Sequence, residues 1–213
     1  MRSAKQRGIS LVEIAIGLAI LGISFAWAIP NYSVWIQNTK IRNMADSIVN
    51  GLQLARSEAI GRNAQAQFVL SNSNASNAVE DDDLSTLGNS TGTNWIVRAI
   101  LPPVGGAPDY AYVSGSIGAE GSNTATVEAG DMAISGGVNA VTFNSFGRLM
   151  TINDDGTAPI RKICVRSSAL TVANGARILE IEIGIAGQIK MCDPSVTNPT
   201  DTRRCVSPAP RCA

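Results

Sequence analysis

The sequence predicts an α+β fold: one long N-terminal α-helix packed on a C-terminal antiparallel β-sheet head. Three observations predict it. Ile9–Ile29 is a largely apolar run of 21 residues with one charge, Glu13. Next, Ile41, Met44, Ile48, Leu52, Ala55 and Ala59 recur at spacings of three and four, the period of one helix face. From about Ala64 the period changes, and Gly, Pro, Asn and Asp punctuate short runs that read as strands.

The helix is justified from its start. Residues 1–8 (MRSAKQRG) form a short basic leader. A secretory signal places its cleavage site after the apolar core. Here the only plausible cut lies before it, so segment 9–29 stays on the mature protein. About 20 apolar residues at ~1.5 Å each span a ~30 Å hydrocarbon layer. A carboxylate inside such a segment costs roughly 2.5–3.5 kcal/mol at the bilayer centre, so Glu13 needs a purpose. An acid in the first helical turn is favoured by the exposed N–H groups and the helix dipole. Pro30 closes the apolar segment and is expected to kink or locally open the helix, because proline removes a backbone bond and clashes with the preceding turn. Segment 30–62 is the amphipathic half, with Gly61 as a stop signal. The whole helix is expected over about Ile9–Ile60, some ~75–80 Å. An ordinary signal anchor explains Arg2, Lys5 and Arg7 through charge bias, yet calls for neither Gly8 nor Glu13. A partner-binding coiled coil needs a sustained heptad, which the stripe lacks.

Segment 63–213 reads as the head. Strands are expected at Ala66–Leu70, Trp95–Leu101 (ended by Pro102-Pro103), Tyr110–Val113, Thr124–Val127 and Val138–Phe143. Val141–Asn144 and Arg148–Ile152 read as a hairpin through Ser145-Phe146-Gly147. Ile160–Val165, Ile178–Ile185 and Gln188–Met191 complete the sheet. From Leu179 the order Leu, Glu, Ile, Glu, Ile, Gly, Ile alternates, which predicts one buried and one wet face. Ser71–Thr93, with the acidic run Glu80–Asp83, lacks apolar periodicity and reads as a surface loop. It lacks the EF-hand pattern for calcium.

Composition limits the chemistry. The chain has 213 residues with 17 basic and 17 acidic side chains. Loss of Arg2, Lys5 and Arg7 with the leader leaves 14 basic against 17 acidic, so global attraction to nucleic acid is not expected. Histidine is absent, which removes Ser-His-Asp triads, Cys-His nucleophiles and His-bearing zinc sites. No paired carboxylates or nucleophile with base present themselves, so no catalytic residue, metal or cofactor is assigned. Cys164, Cys192, Cys205 and Cys212 lie in the C-terminal quarter without a CxxC pair, and an even count in an exported domain reads as two disulfides. Three connectivities are open. Cys164–Cys192 with Cys205–Cys212 is favoured, because the first two fall at strand ends. A crossed pairing such as Cys164–Cys212 would staple the tail to the sheet instead.

A basic leader ending in Gly8, an apolar helix, and Glu13 five positions later together resemble the class III leader of type IV pilins and pseudopilins. The resemblance implies that a prepilin peptidase cuts after Gly8 and methylates the new N-terminus at Ile9, where the family usually has Phe. It implies that Glu13 pairs with the terminal amine of a neighbouring subunit, and that the helix near Pro30 can melt on assembly. Leu54–Ile60 (LARSEAI), Trp95, the Phe143–Arg148 turn (F-x-x-x-G-R) and the closing Ile185–Cys192 segment narrow the resemblance to the GspH/FimT minor pilins and pseudopilins. Implied partners are other minor and major pilins through the N-terminal helix, an inner-membrane assembly platform and a tip adhesin. The implied location is the bacterial inner membrane, single-pass with a periplasmic head, followed by extrusion into a fibre. The leading expectation is a minor pilin of the pilus tip or priming complex. A minor pseudopilin of type II secretion is the near alternative. A DNA-binding minor pilin for DNA uptake is the third, with Lys190, Arg203, Arg204 and Arg211 as candidate phosphate contacts. The family's Gly-Arg-x-Arg motif is here Gly187-Gln188-Ile189-Lys190, which weakens that reading.

Overall fold

The computed structural model describes residues 10–72, 88–104, 107–117, 125–129 and 139–206, without the side chains of 26–31, 104, 107–108 and 125–129. The leader with Gly8 and Ile9, the acidic run Glu80–Asp83, Thr124, Val138, Arg211 and Cys212 lie outside the described residues. The chain divides into two compact units, Met1–Ile36 and Gln37–Ala213.

Helix α1 runs Leu11–Arg62. Ser10 starts it, its carbonyl accepting from the N–H groups of Glu13 (3.0 Å) and Ile14 (3.2 Å). Helical structure continues through position 30, so the proline does not end it. It also continues through Gly61; the stop is Asn63, at φ 50. Asn63 N–H reaches the Ile60 carbonyl and Ala64 N–H the Ala59 carbonyl, both at 3.2 Å. This is the pair of bonds by which a left-handed residue closes a helix, and asparagine is among the few non-glycine residues that enter that region routinely.

In the first unit, the described part of α1 exposes Leu11, Val12, Ile14, Ile16, Leu18, Ile20, Leu21, Ile23 and Phe25, with Leu11 84% exposed. Among the described residues no helix is long and apolar enough to cross a membrane. The described side chains of this apolar run stop at Phe25.

In the second unit the strands form two antiparallel sheets rather than one. The first has the order β3-β2-β1-β5, built from β1 (Gln65–Ser71), β2 (Asn94–Val104), β3 (Ala107–Ser116) and β5 (Ala140–Phe143). The second has the order β4-β6-β7-β8, built from β4 (Ala125–Ala129), β6 (Lys162–Ser167), β7 (Leu179–Ile183) and β8 (Ile189–Cys192). Ile41, Met44, Ile48, Leu52, Ala55 and Ala59 are all buried. They share one cluster with Phe68 and Trp95 of the first sheet and Ile163 and Ile181 of the second. The amphipathic stripe of α1 is therefore the common core of both sheets, and the apolar area it removes from water is the main stabilising term.

The tightest approach is at Gly51. A Cβ there would lie 2.8 Å from Phe68 Cε2 and 2.9 Å from Trp95 Cδ2. These two rings stack with centroids 5.9 Å apart, and the Trp95 indole N–H donates to Ser47 Oγ at 3.0 Å. Trp95 is thus a buried structural side chain with its polar end satisfied.

Three expectations change. β2 runs past Pro102-Pro103 to Val104. Its pairing with β1 ends at Ile100, and a register shift against β3 falls between Leu101 and Val104. The prolines therefore sit where the missing N–H groups break no regular ladder. The hairpin arm Arg148–Ile152 reduces to an isolated bridge, Phe143↔Leu149. A single-turn 3₁₀ helix, Val172–Asn174, closed by Gly175 at φ 87, occupies the loop between β6 and β7.

Candidate functional site

The fold gathers the sequence-selected residues of the head into two places, and leaves Glu13 in the first unit. Glu13 stands exposed in the first turn of α1, beside the apolar run.

The first place is the C-terminal end of α1. Arg56 Nε donates to the Gly147 carbonyl at 3.1 Å. Gly147 (φ 69) and Gly187 (φ 80) each turn their chain in the left-handed region. A Cβ on Gly187 would fall 1.9 Å from the Gly147 carbonyl oxygen. Leu149 N–H donates to the Ile185 carbonyl at 3.1 Å. Two glycine turns therefore pack backbone to backbone and are clamped by one guanidinium. Only residues without a side chain allow that approach. The F-x-x-x-G-R turn and the Gly187 turn, distant in sequence, are one structural unit.

The second place is the C-terminal tail, where the disulfide pairing must be corrected. Cys192 is bonded to Cys205, with Cα atoms 5.0 Å apart. Cys164 is also disulfide-bonded. Cys164–Cys192 fails because β7 lies between β6 and β8. Cys164 is in register with Glu180, and Glu180 with Cys192. Two strand spacings of ~4.8 Å separate the two cysteines, beyond the ~7 Å limit for a bridge. The tail instead returns along β8 through the parallel bridge Asp193↔Arg204. Cys192→Ser opens the Cys192–Cys205 loop, whose sequence separation is 13. The expected loss is about 2–4 kcal/mol, read as a lower unfolding midpoint under non-reducing conditions. An unchanged midpoint would refute a stabilising staple.

The tail holds its cations internally. Lys190 Nζ donates to the Arg204 carbonyl at 2.8 Å. Arg203 grips Asp201 with Nη2 on Oδ2 at 2.8 Å and Nε on Oδ1 at 3.2 Å. The Arg203 side-chain hydrogen bond is the largest cause holding the Asp201 carboxyl down, to about 2. Lys190, Arg203 and Arg204 are therefore brought together, and Lys190 and Arg203 each have a partner within the tail, although the Arg203 side chain stays exposed.

Beneath the tail lies a group that alternation misjudges. Glu180 should face water, yet it is 0% exposed. Lys162 Nζ stands 3.1 Å from its Oε1. Glu180, Glu182, Cys192 and Cys205 place donor atoms within 4.8 Å of one another. The two sulfurs are spent on the disulfide, and Glu182 accepts from Val206 N–H at 3.1 Å. The cluster acts as a stapled ionic core, not as a ligand cage.

A second polar core was not anticipated. Arg98 is 0% exposed, donates from Nε to Gln67 Oε1 at 2.9 Å, and stacks over the Tyr110 ring at 3.6 Å. Gln67 Nε2 donates to Asp154 Oδ1 at 2.5 Å and to Thr142 Oγ1 at 3.1 Å, and Tyr110 donates to the other Asp154 oxygen. A lone arginine inside the apolar run Trp95–Leu101 is the one sequence signal that pointed to it.

A family model described as Type II transport protein GspH matches residues 44–183. A second, described as Prokaryotic N-terminal methylation motif, matches residues 3–29. No curated protein matches the chain. Among solved structures, the chain is similar to the type IV minor pilin FimU of Pseudomonas aeruginosa in crystals of space group P21. Identity is 18% over 76% of this chain and 95% of that chain, with a TM-score of 0.44. The same protein in space group P65 gives 18% identity over 73% and 94%, with a TM-score of 0.42.

Proposed function

Because the chain belongs to the GspH family and carries the N-terminal methylation motif, we propose that it is a minor type IV pilin, a structural subunit of the pilus tip or priming complex. One observation carries this reading. The run Leu11–Phe25 presents apolar side chains all round with Glu13 at its start. Such a surface is not stable in water and calls for lipid or other stems around it. In the membrane, 9–29 anchors the chain, with the head on the periplasmic side where disulfides persist. Prepilin peptidase removes residues 1–8 after Gly8 and methylates Ile9. The new amine then lies within reach of a neighbour's Glu13, so that each charge compensates the other in hydrocarbon instead of standing alone. Flexibility at Pro30 adjusts the stem as it enters the fibre. The partners are other pilins, the assembly platform and an adhesin at the tip.

A second reading is favoured by the matching family, described as a type II transport protein: a minor pseudopilin of type II secretion, with the same processing and stem packing. Deleting the chain distinguishes them, since the pilin reading predicts loss of surface fibres and the pseudopilin reading loss of secreted substrates. DNA uptake is not supported by a tail whose Lys190 and Arg203 are internally bonded. Mass spectrometry of the mature protein tests the processing. A methylated N-terminus at Ile9 is expected, and an intact Met1 in cells with active prepilin peptidase would refute it.

A further inference from the structure

Strand β6 gives the head two ends. Before it stands Arg161, whose carbonyl accepts from Ile183 N–H at 2.9 Å. After it the chain meets α1 again: the Ser167 hydroxyl donates to Gln37 Oε1 at 3.5 Å. Asn38 fastens the 3₁₀ loop to the same place. Its Nδ2 donates to the Gly175 carbonyl at 3.1 Å, and its Oδ1 accepts from Arg177 N–H at 2.8 Å. Gln37 and Asn38 open the second unit, so this is the end of the head nearest the stem along the chain.

The loop encloses an open cavity of about 450 Å³, with Leu170, Val172 and Ile178 as apolar walls and Arg166 and Arg177 as cations. Arg177 is exposed and Arg166 half-buried. Guanidinium forks match phosphate oxygens. Aliphatic walls suit the carbons that adjoin a phosphate in a lipid, and a free inorganic anion has no use for them.

The chain also sets which phosphates are near. Asn38 follows Ile29, the end of the apolar segment, by nine residues. α1 is helical across this interval, so nine residues rise about 14 Å. The headgroup layer takes up roughly 5–8 Å of that. The remainder is about one Debye length at physiological salt, ~8 Å, so the cations feel the surface charge. Tyr32 and Trp35 fall in the same interval of sequence. Both are exposed, and their rings stack with centroids 5.9 Å apart. Tyrosine and tryptophan are the side chains that settle at headgroup level.

We propose that the stem end of the head docks on the bilayer surface, with Arg166 and Arg177 holding anionic phospholipid headgroups in the Leu170–Ile178 cavity. The proposal rests on the membrane-anchored stem of the reading above and adds a lipid partner for the head. Because the mature chain is acidic as a whole, the attraction is local to this end and orients the head on the membrane before the subunit joins a fibre.

The test uses the full-length chain in vesicles of phosphatidylcholine with about one-quarter phosphatidylglycerol. Asn174, exposed in the 3₁₀ loop, is replaced by the photo-crosslinking residue p-benzoylphenylalanine, and mass spectrometry identifies what it captures. The expected result is lipid adducts in which phosphatidylglycerol exceeds its bulk share about fivefold or more. Arg177→Gln should lower that excess about fivefold, the effect of one cation near an anionic surface, and Arg177→Lys should largely restore it. In 1 M salt, where the Debye length is ~3 Å, the excess should disappear. Arg161→Gln removes a cation at the other end of β6, about 17 Å away along the strand, and should leave the excess unchanged. Adducts at the bulk lipid ratio, adducts to protein alone, or equal losses from Arg161→Gln and Arg177→Gln would overturn the docking. Flotation of the same vesicles scores the anchor separately. A chain that floats without the lipid preference sinks the docking alone, and a chain that does not float sinks the anchored-stem reading.

Discussion

Lys162→Met lowers the unfolding free energy of the chain by about 3–5 kcal/mol, the cost of leaving one member of a buried ion pair uncompensated. Glu180 is fully buried in the second sheet, under the tail that Cys192–Cys205 holds down, and Lys162 lies 3.1 Å away on the neighbouring strand. At ~2–4 °C per kcal/mol for a chain of this size, the unfolding midpoint falls by roughly 6–20 °C. The companion variant makes the result specific. Lys162→Met with Glu180→Leu removes both charges and fills the space with apolar atoms, and it should recover most of the loss. A double variant as unstable as the single one would show that packing, not the stranded charge, sets the cost.

Gly187→Ala carries the second large effect. Its added Cβ would sit 1.9 Å from the Gly147 carbonyl oxygen, an approach no real side chain makes, and the site has φ 80. Left-handed backbone costs an ordinary residue roughly 1–2 kcal/mol, and relieving the overlap adds typically 1–3 kcal/mol. The turn pair and the Arg56 clamp should separate together. Gly156→Ala is the control, because φ is 84 there but nothing lies within 4 Å of the added atom. It should lose only the backbone share. Equal losses at the two glycines would mean that the packed turns contribute nothing beyond their conformation.

These two positions show how far the sequence could be read. The buried stripe of α1 was legible because helical burial has a period, and every residue from Ile41 to Ala59 assigned to it is in the core. The α+β architecture followed from the change of period beyond it. Glu180 was not legible. Alternation in Leu179–Ile183 correctly separates two faces, but it cannot tell that the tail covers the second one. The disulfide failed for a related reason, because strand ends near in sequence say nothing of strand order, and β7 lies between Cys164 and Cys192. Gly187 and Gly147 read as turn residues, which they are. Their contact with each other joins segments 40 residues apart and leaves no local pattern. Asn63, not Gly61, ends α1, since both residue types enter the left-handed region and only the fold selects between them. The candidate DNA contacts were individually basic, yet Lys190 and Arg203 have partners that a residue count cannot see.

The proposed pilin role depends on a retained apolar stem that stacks with others through Glu13. Recovery of the chain in fibres sheared from the cell surface, compared between the natural sequence and Glu13→Ala, measures this most directly. The natural chain should be present with Ile9 at its N-terminus. Glu13→Ala should reduce its share about tenfold or more, equivalent to one lost charge pairing of ~1.4 kcal/mol or greater. Undiminished Glu13→Ala in those fibres would contradict the account.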